Sequence, residues 1–276
     1  MKTTRRPSGV SLALKQTISS VMNKEAVKEN APSGYTIKLA NTLGEREAAY
    51  RLAYKVYRDK GYVKENSYGW LVKDHDANPE TATLIVQDKD KNVVGSITMI
   101  FEGKYSIPAK SIYAKEIAAL KAKNEKIVEV SRLVIDNQHR NAKEILAILF
   151  NYLYIFSRLV KKYTCLTIEV NPRHKEFYRL LLGFEVIGNE KPCPNVQNAP
   201  AILLASSLDP KINTALKKHR ESPDKKGHSA VRHFVKPEQE GLVAAYLEKQ
   251  YKPMSEEEKL YFGFTDSSIG RAVLIN

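Results

Sequence analysis

The sequence predicts an α/β protein organised on one sheet of about seven strands, and three observations carry that expectation. Strand-like and helix-like runs alternate along residues 35–207. Two of the strand-like runs, ATLIVQ (82–87) and VVGSITMIF (93–101), are joined by the turn DKDKN, which is a hairpin signal. KEILAILFNYLYIFSRLVKK (143–162) is apolar on most sides, so it has to be a helix deeply covered by the rest of the chain.

The elements follow in order. YTIKLA (35–40) alternates like a strand. TLGEREAAYRLAYKVYRDKG (42–61) opens on a Thr-x-x-Glu capping box, Thr42 to Glu45, and reads as a helix ending at Gly61. A polar loop through Trp70 and Asp74 leads to the hairpin, and a short helical piece near IYAKEIAALKAK (112–123) precedes the strand IVEVSRLVI (127–135). After the long helix come the strand TCLTIEV (164–170) and the helix RHKEFYRLL (173–181), stopped by Gly183. FEVIG (184–188), a proline-bearing loop and AILLAS (201–206) close the sheet. Beyond it, EQEGLVAAYLEKQ suits a helix, and Ser255 with Glu258 forms a second capping box. Leu260, Tyr261, Phe262 and Phe264 are expected to pack on the core, since together they would expose a large apolar patch.

Composition narrows the class. Apolar residues make up 43% of 276, enough for a substantial core. No apolar run approaches the ~20 residues of a membrane span. The basic start MKTTRRPSGVSLALKQTISSVM is interrupted by Lys15 and Gln16 and lacks a small-residue cleavage site, so a secretory signal is not expected. Cys165 and Cys193 have no metal-ligand spacing and suit reduced thiols in a cytoplasmic protein.

The net charge of +13 is unevenly placed: residues 1–28 carry +5 and residues 211–236 carry +6, leaving +2 elsewhere. The first reading of these flanks is a solvated surface. The alternative is an acidic partner such as a carrier protein, an anionic membrane or a nucleic acid. The flanks lack the interleaved aromatics of a base-stacking platform, so nucleic acid is not expected. Leu14, Ile18, Val21 and Met22 have helical spacing beside Arg5, Arg6 and Lys15, which leaves open a peripheral contact with the inner membrane face.

The string NPRHKEFYRLLLGFEVIG (171–188) resembles the end of the catalytic fold of GNAT-superfamily acyltransferases, and the element order is similar to that superfamily over roughly residues 35–207. YRLAYKVYRDKGY, the Asp-His-Asp at 74–76 and EVSRLVID (129–136) look like the bacterial long-chain N-acyl amino acid synthases, cousins of the acyl-homoserine lactone synthases. The resemblance implies a mixed central sheet split between strands 4 and 5, with helices on both faces. It implies three segments: a basic N-terminal extension (1–34), the acyltransferase domain (35–207), and a basic linker with a C-terminal helical extension (208–276). It also implies a long acyl group carried on acyl carrier protein and a free amino acid as acceptor. No cofactor is bound permanently; the co-substrate is the carrier's acyl-phosphopantetheine, or acyl-coenzyme A.

Three departures from the family pattern stand out. Ala53 occupies a position often held by a second arginine, leaving Arg51 alone in the first helix. The phosphate loop, usually Arg-Gly-x-Gly, reads QHRNAK (138–143), with Asn141 at the first glycine. Side chains there crowd the close backbone approach that a pyrophosphate needs. This favours the single phosphodiester of a carrier's arm over free coenzyme A. Residues beyond 210 lie outside the resemblance.

Amide formation from a thioester requires a neutral amine, so a carboxylate near the acceptor's ammonium can take its proton. Glu129, costly to bury on a central strand, is the candidate base, with a structural ion pair to Arg132 or Arg51 as the alternative. Strand alternation puts Glu129 and Ser131 on one face with Leu133, and Arg132 on the other with Val130 and Val134, barring a bulge. Arg132 is expected to pair with Asp74 or Asp76 and fix the loop above the pocket.

By resemblance, Arg51 and Asp76 shape the pocket, together with Ser131, Arg132, Leu133 and Asn171. Tyr178 occupies the position that protonates the departing thiolate, packing being the alternative. Ile135, Arg140 and Asn141 contact the phosphopantetheine. His174 either holds the acceptor's carboxylate or caps its helix. His75 between two aspartates does not make a metal site by itself, and no metal is expected. Leu146, Leu149, Phe150, Leu153 and Phe156 suit an acyl slot or plain core. Other GNAT chemistry with an acyl-coenzyme A, lactone synthesis, or a non-catalytic basic binding module are the rival readings.

Overall fold

The computed structural model describes residues 34–136, 138, 142–213, 216–217, 221 and 233–264. The amphipathic N-terminal spacing and the phosphate-loop residues Arg140 and Asn141 lie outside the described residues. One sheet of eight strands forms the centre: β1 (Thr36–Leu39), β2 (Thr81–Gln87), β3 (Val93–Phe101), β4 (Ile127–Ile135), β5 (Cys165–Val170), β6 (Glu185–Val186), β7 (Lys191–Cys193) and β8 (Ala199–Ser207). Their spatial order is β1-β2-β3-β4-β5-β8-β6, with β7 pairing off β8. The strand beyond the expected seven is β7, three residues long with Pro192 inside it; proline cannot donate to a ladder, so the segment reads as loop.

Neighbouring strands are antiparallel except β4 and β5, and that pair positions the site. Their register runs from Ile127–Cys165 to Val130–Ile168 and stops there. Beyond it β4 follows β3, while β5 follows β8 with Glu169 opposite Leu203 and Val170 opposite Ile202. The sheet therefore forks between strands 4 and 5.

The helices are α1 (Leu43–Asp59), α2 (Ala114–Ala122), α3 (Ala142–Ile155), α4 (Lys175–Leu182), α5 (Glu240–Gln250) and α6 (Glu256–Tyr261). α3 continues as one π turn, Phe156–Val160, and is buried nearly all round. It packs with α5, through Val243 and Leu247, on the sheet face that carries Ile97, Met99 and Val130. The opposite face is covered by α1 with Leu71 and Val134, and by α2 with Ile100, Ile107 and Ile127.

Thr42 caps α1 by accepting the Glu45 amide at 3.4 Å, and the Glu45 carboxylate turns to Lys38 and the Asn41 amide. The C-terminal extension is seated on this same corner. Buried Arg46 donates to Glu258 at 3.3 Å and to the Lys252 carbonyl at 2.7 Å, and Gln250 accepts the Leu39 amide at 3.1 Å. The Ser255–Glu258 capping box forms as expected. Met254, Phe262 and Phe264 bury against Tyr50 and Ala77, whereas Leu260 and Tyr261 stay 69% and 46% exposed. A helix as short as α6 turns only part of its apolar set inward.

Gly183 ends α4 in the left-handed region, at φ +69°, where a Cβ would meet Asn213 Oδ1 at 2.6 Å. Asn213 in turn donates to Ser206 Oγ at 2.7 Å. Gly183→Ala is therefore expected to cost roughly 1–3 kcal/mol from backbone strain, read as a lower midpoint in urea unfolding.

Candidate active site

The fork opens into a cavity of about 570 Å³. β4 lines it with Glu129 through Leu133 and Ile135, β5 with Ile168 to Val170, and α4 with Phe177 and Tyr178. The loop after α1 contributes Leu71, Lys73 and His75, and the β7–β8 hairpin closes another side with Cys193 and Ala201.

Glu129 sits one residue before the last paired position of β4, with 3% of its surface exposed. Its Oε2 accepts the Ala109 amide at 2.7 Å, donated by the 3₁₀ turn Pro108–Ser111. No ion pair to Arg132 or Arg51 forms. Burial, and then the nearby Glu169 carboxylate, push the Glu129 carboxyl well above its ordinary value, while the amide pulls it back only in part. Glu169 sits one residue past the last paired position of β5. Its Oε2 accepts the Cys193 thiol at 3.5 Å, its buried Oε1 has no partner among the described residues, and burial raises its carboxyl as well.

Arg132 departs from simple alternation. Ser131 faces Thr98 and Val134 faces Ser96, so Arg132 and Leu133 together oppose Ile97, and Arg132 takes φ +45°. This β-bulge reverses the faces beyond Ser131. Glu129 and Ser131 share a face, as expected, but Leu133 and Ile135 pack against the cluster under α3 and Val134 packs toward α1. The Arg132 guanidinium does not follow Val130. It lies over the Tyr50 ring of α1 at 5.2 Å and donates to Thr98 Oγ1 at 3.2 Å and to the Leu71 carbonyl at 3.1 Å. Both its terminal nitrogens reach Asp76, one at 2.6 Å. Burial opposes the Asp76 charge, but the guanidinium outweighs it and holds the carboxyl below its ordinary value.

Asp76 thus lies behind the wall and does not line the cavity. Arg51 is also outside it: exposed on α1, it bonds Glu47 at 2.7 Å and the Tyr68 carbonyl at 3.0 Å, over the Trp70 ring. Ser131, Leu133 and Ile135 are half-buried in the wall.

Tyr178 is packed edge-on against Phe150 and Phe184; burial raises its phenol, so it stays protonated at neutral pH, and its hydroxyl finds no partner among the described residues. Asn171 caps the turn before α4 by accepting the Arg173 amide at 3.2 Å. His174 makes no cap, because its Nε2 accepts from Arg173 Nε at 3.1 Å at the cavity mouth. Of the apolar α3 residues expected near an acyl slot, Leu146 reaches the cavity, while Leu149, Phe150, Leu153 and Phe156 are core.

His75 lines the cavity with a buried Nε2 that has no partner among the described residues, and burial pushes its ring down to about 4. Among the described residues no group of three or more His, Cys, Asp or Glu is placed to hold a metal ion. None of the described helices is long and apolar enough to cross a membrane. Sequence reasoning missed Glu169, Cys193, Lys60 and Lys73, all of which line the cavity. Glu169 left one trace, as the single charge in the apolar run CLTIEV.

The mixed sheet, with its parallel pair parted around a cavity and a buried carboxylate at the fork, is that of an acyltransferase. The family model described as N-acyl amino acid synthase FeeM matches residues 48–207, and the chain belongs to that family. Among solved structures, FeeM, an N-acyl amino acid synthase from uncultured soil microbes, is 29% identical, with a TM-score of 0.55 over 63% of this chain and 92% of that one. Two acyl-homoserine lactone synthases share the fold at 16% identity. BjaI, described as coenzyme A-dependent, has a TM-score of 0.51 over 72% of this chain and 98% of its own. LasI has 0.50 over 66% and 93%. No curated protein matches the chain.

Proposed function

We propose that the protein transfers a long acyl group from acyl carrier protein to the amine of a free amino acid. The observation that carries this reading is Glu129, a buried carboxylate of raised proton affinity on the wall of the open fork. An acceptor ammonium is unreactive until it loses a proton, and a carboxylate whose pKa is raised toward the working pH accepts that proton more readily than an ordinary one. The thioester then lies along the fork between β4 and β5. Ser131, Leu133 and Ile135 border the arm, and Tyr178 is within the wall to meet the departing sulfur. Asn171 and His174 stand at the mouth, where the acceptor's carboxylate enters. Arg132, in the wall itself, and Asp76 behind it act by holding the loop that supplies Leu71, Lys73 and His75. In this reading Arg51 braces the outer surface of α1.

The donor assignment rests on the QHRNAK segment, which lacks the glycines that admit a pyrophosphate. Lys60 and Lys73 on the cavity wall supply positive charge suited to one phosphodiester. The test is incubation of purified protein with hexadecanoyl-acyl carrier protein and the twenty amino acids, followed by mass spectrometry. Acylated amino acids are expected, with slower formation when hexadecanoyl-coenzyme A replaces the carrier. Absence of any acylated amino acid from both donors overturns the reading; equal or faster product from coenzyme A overturns the donor half.

A further inference from the structure

Glu169 stands across the fork from Glu129. The register puts Thr167 beside Glu129, and residues two apart on a strand share a face, so Glu169 projects to the same side. The two carboxylates straddle the point where the strands separate, one residue before it on β4 and one after it on β5. Each has a single oxygen already engaged: Glu129 by the Ala109 amide and Glu169 by the Cys193 thiol. That leaves Glu169 Oε1 buried, unpartnered among the described residues, on a residue that lines the cavity. A buried acceptor with no donor is costly in the empty protein and is relieved by a ligand that brings N–H groups.

We propose that Glu169 is the acceptor-positioning residue: its free oxygen takes an N–H of the incoming primary ammonium and holds that nitrogen against Glu129. This rests on the amine-acylation reading given above. One N–H bond of the ammonium breaks and its proton passes to Glu129. The freed lone pair attacks the thioester carbonyl carbon, the C–S bond breaks, and a second amine proton ends on the departing sulfur. Glu129 then returns its proton to solvent.

Two carboxylates buried in one fork resist double ionisation, and the ammonium is the partner that permits both to be charged. The other titratable groups near the pair are Cys193 from β7 and Tyr113 from the start of α2. Tyr57, Lys60, Lys73, Asp74, His75 and His174 line the same cavity, and Arg132 is neutralised by Asp76.

The decisive measurement is the titration of Glu129 by carboxyl ¹³C NMR in the full-length enzyme, in wild type, Glu169→Gln and Glu169→Asp. Removing the second charge is expected to lower the Glu129 midpoint by about one pH unit, and Asp, which keeps the charge, to restore it. Thiol release from hexadecanoyl-acyl carrier protein with mixed amino acids should show its acid limb moving the same way in Glu169→Gln. The acceptor concentration for half-maximal rate should rise about tenfold, with unchanged thermal melting. A Glu129 midpoint unmoved by Glu169→Gln, or an unaltered acceptor dependence, overturns the proposal. If wild type acylates no amino acid, the amine-acylation reading fails on its own while the NMR titration still decides whether the carboxylates are paired.

Discussion

Replacing Glu129 with glutamine is expected to lower the turnover of acyl transfer by about 10²- to 10⁴-fold, the span for losing a positioned general base, while the protein folds as before. Glutamine keeps the size of the side chain and a carbonyl oxygen to accept the Ala109 amide, which Glu129 Oε2 accepts at 2.7 Å. What it removes is the proton-accepting charge. The linkage runs in a useful direction. Because the folded state raises the Glu129 pKa, the folded protein binds a proton that the unfolded chain has released, and stability falls as pH climbs from the ordinary glutamate value through the folded one. Glutamine carries no such pH-dependent loss, so Glu129→Gln should melt no lower than wild type. Steady-state rates beside a thermal melt separate the alternatives. Full activity removes Glu129 as the base, and lost activity with a lowered melting temperature marks a structural role instead.

The order of elements, the hairpin at residues 88–92 and the stop at Gly183 were legible because each has a local cause: alternation, turn chemistry, a left-handed cap. So was the fork, through short strings on either side of it. The bulge at Arg132 was not. A left-handed residue is usually announced by glycine or asparagine, and here an arginine adopts it, held by Asp76, Thr98 and the Leu71 carbonyl from distant parts of the chain. One inserted residue sufficed to misplace Leu133 and Arg132, because strand faces are counted in twos.

Arg51 failed for a different reason. Its expected place came from resemblance, whereas its neighbours Glu47, one turn away, and the Trp70 ring hold it on the surface. Glu169 was passed over because its significance lies in what stands near it. Cys193 arrives from β7, a strand that Pro192 disguises, and Glu129 arrives from a strand 40 residues earlier. Burial and charge at a fork are properties of the assembled sheet, and no window along the chain contains them.

The pair beneath the cavity leads to the largest expected loss of stability. Arg132 and Asp76 have side chains 4% and 0% exposed, and removing one member of such a pair leaves the other charge stranded, at a cost of about 3–5 kcal/mol. Arg132→Met should therefore unfold at markedly lower urea concentration than wild type. Asp76→Asn should fall less far, because its oxygen can still accept from the guanidinium and it strands a cation that keeps Thr98 and the Leu71 carbonyl. The double variant Arg132→Met/Asp76→Asn is expected to lose less than the sum of the two single changes, since neither charge is then buried alone.

Acid gives the same pair a second signature. The Asp76 pKa is depressed in the folded state, so its contribution is fully present above the ordinary aspartate value near ~4 and is lost as pH falls through the folded one. Wild type should lose stability across that acid window, and Arg132→Met should lose less there. Because Asp76 and the Leu71 carbonyl belong to the loop that forms one cavity wall, hydrogen exchange in residues 71–78 of Arg132→Met should quicken before the sheet itself opens. Unchanged exchange in that loop, or single-variant losses that simply add, would show that the pair is not what fixes the wall of the fork.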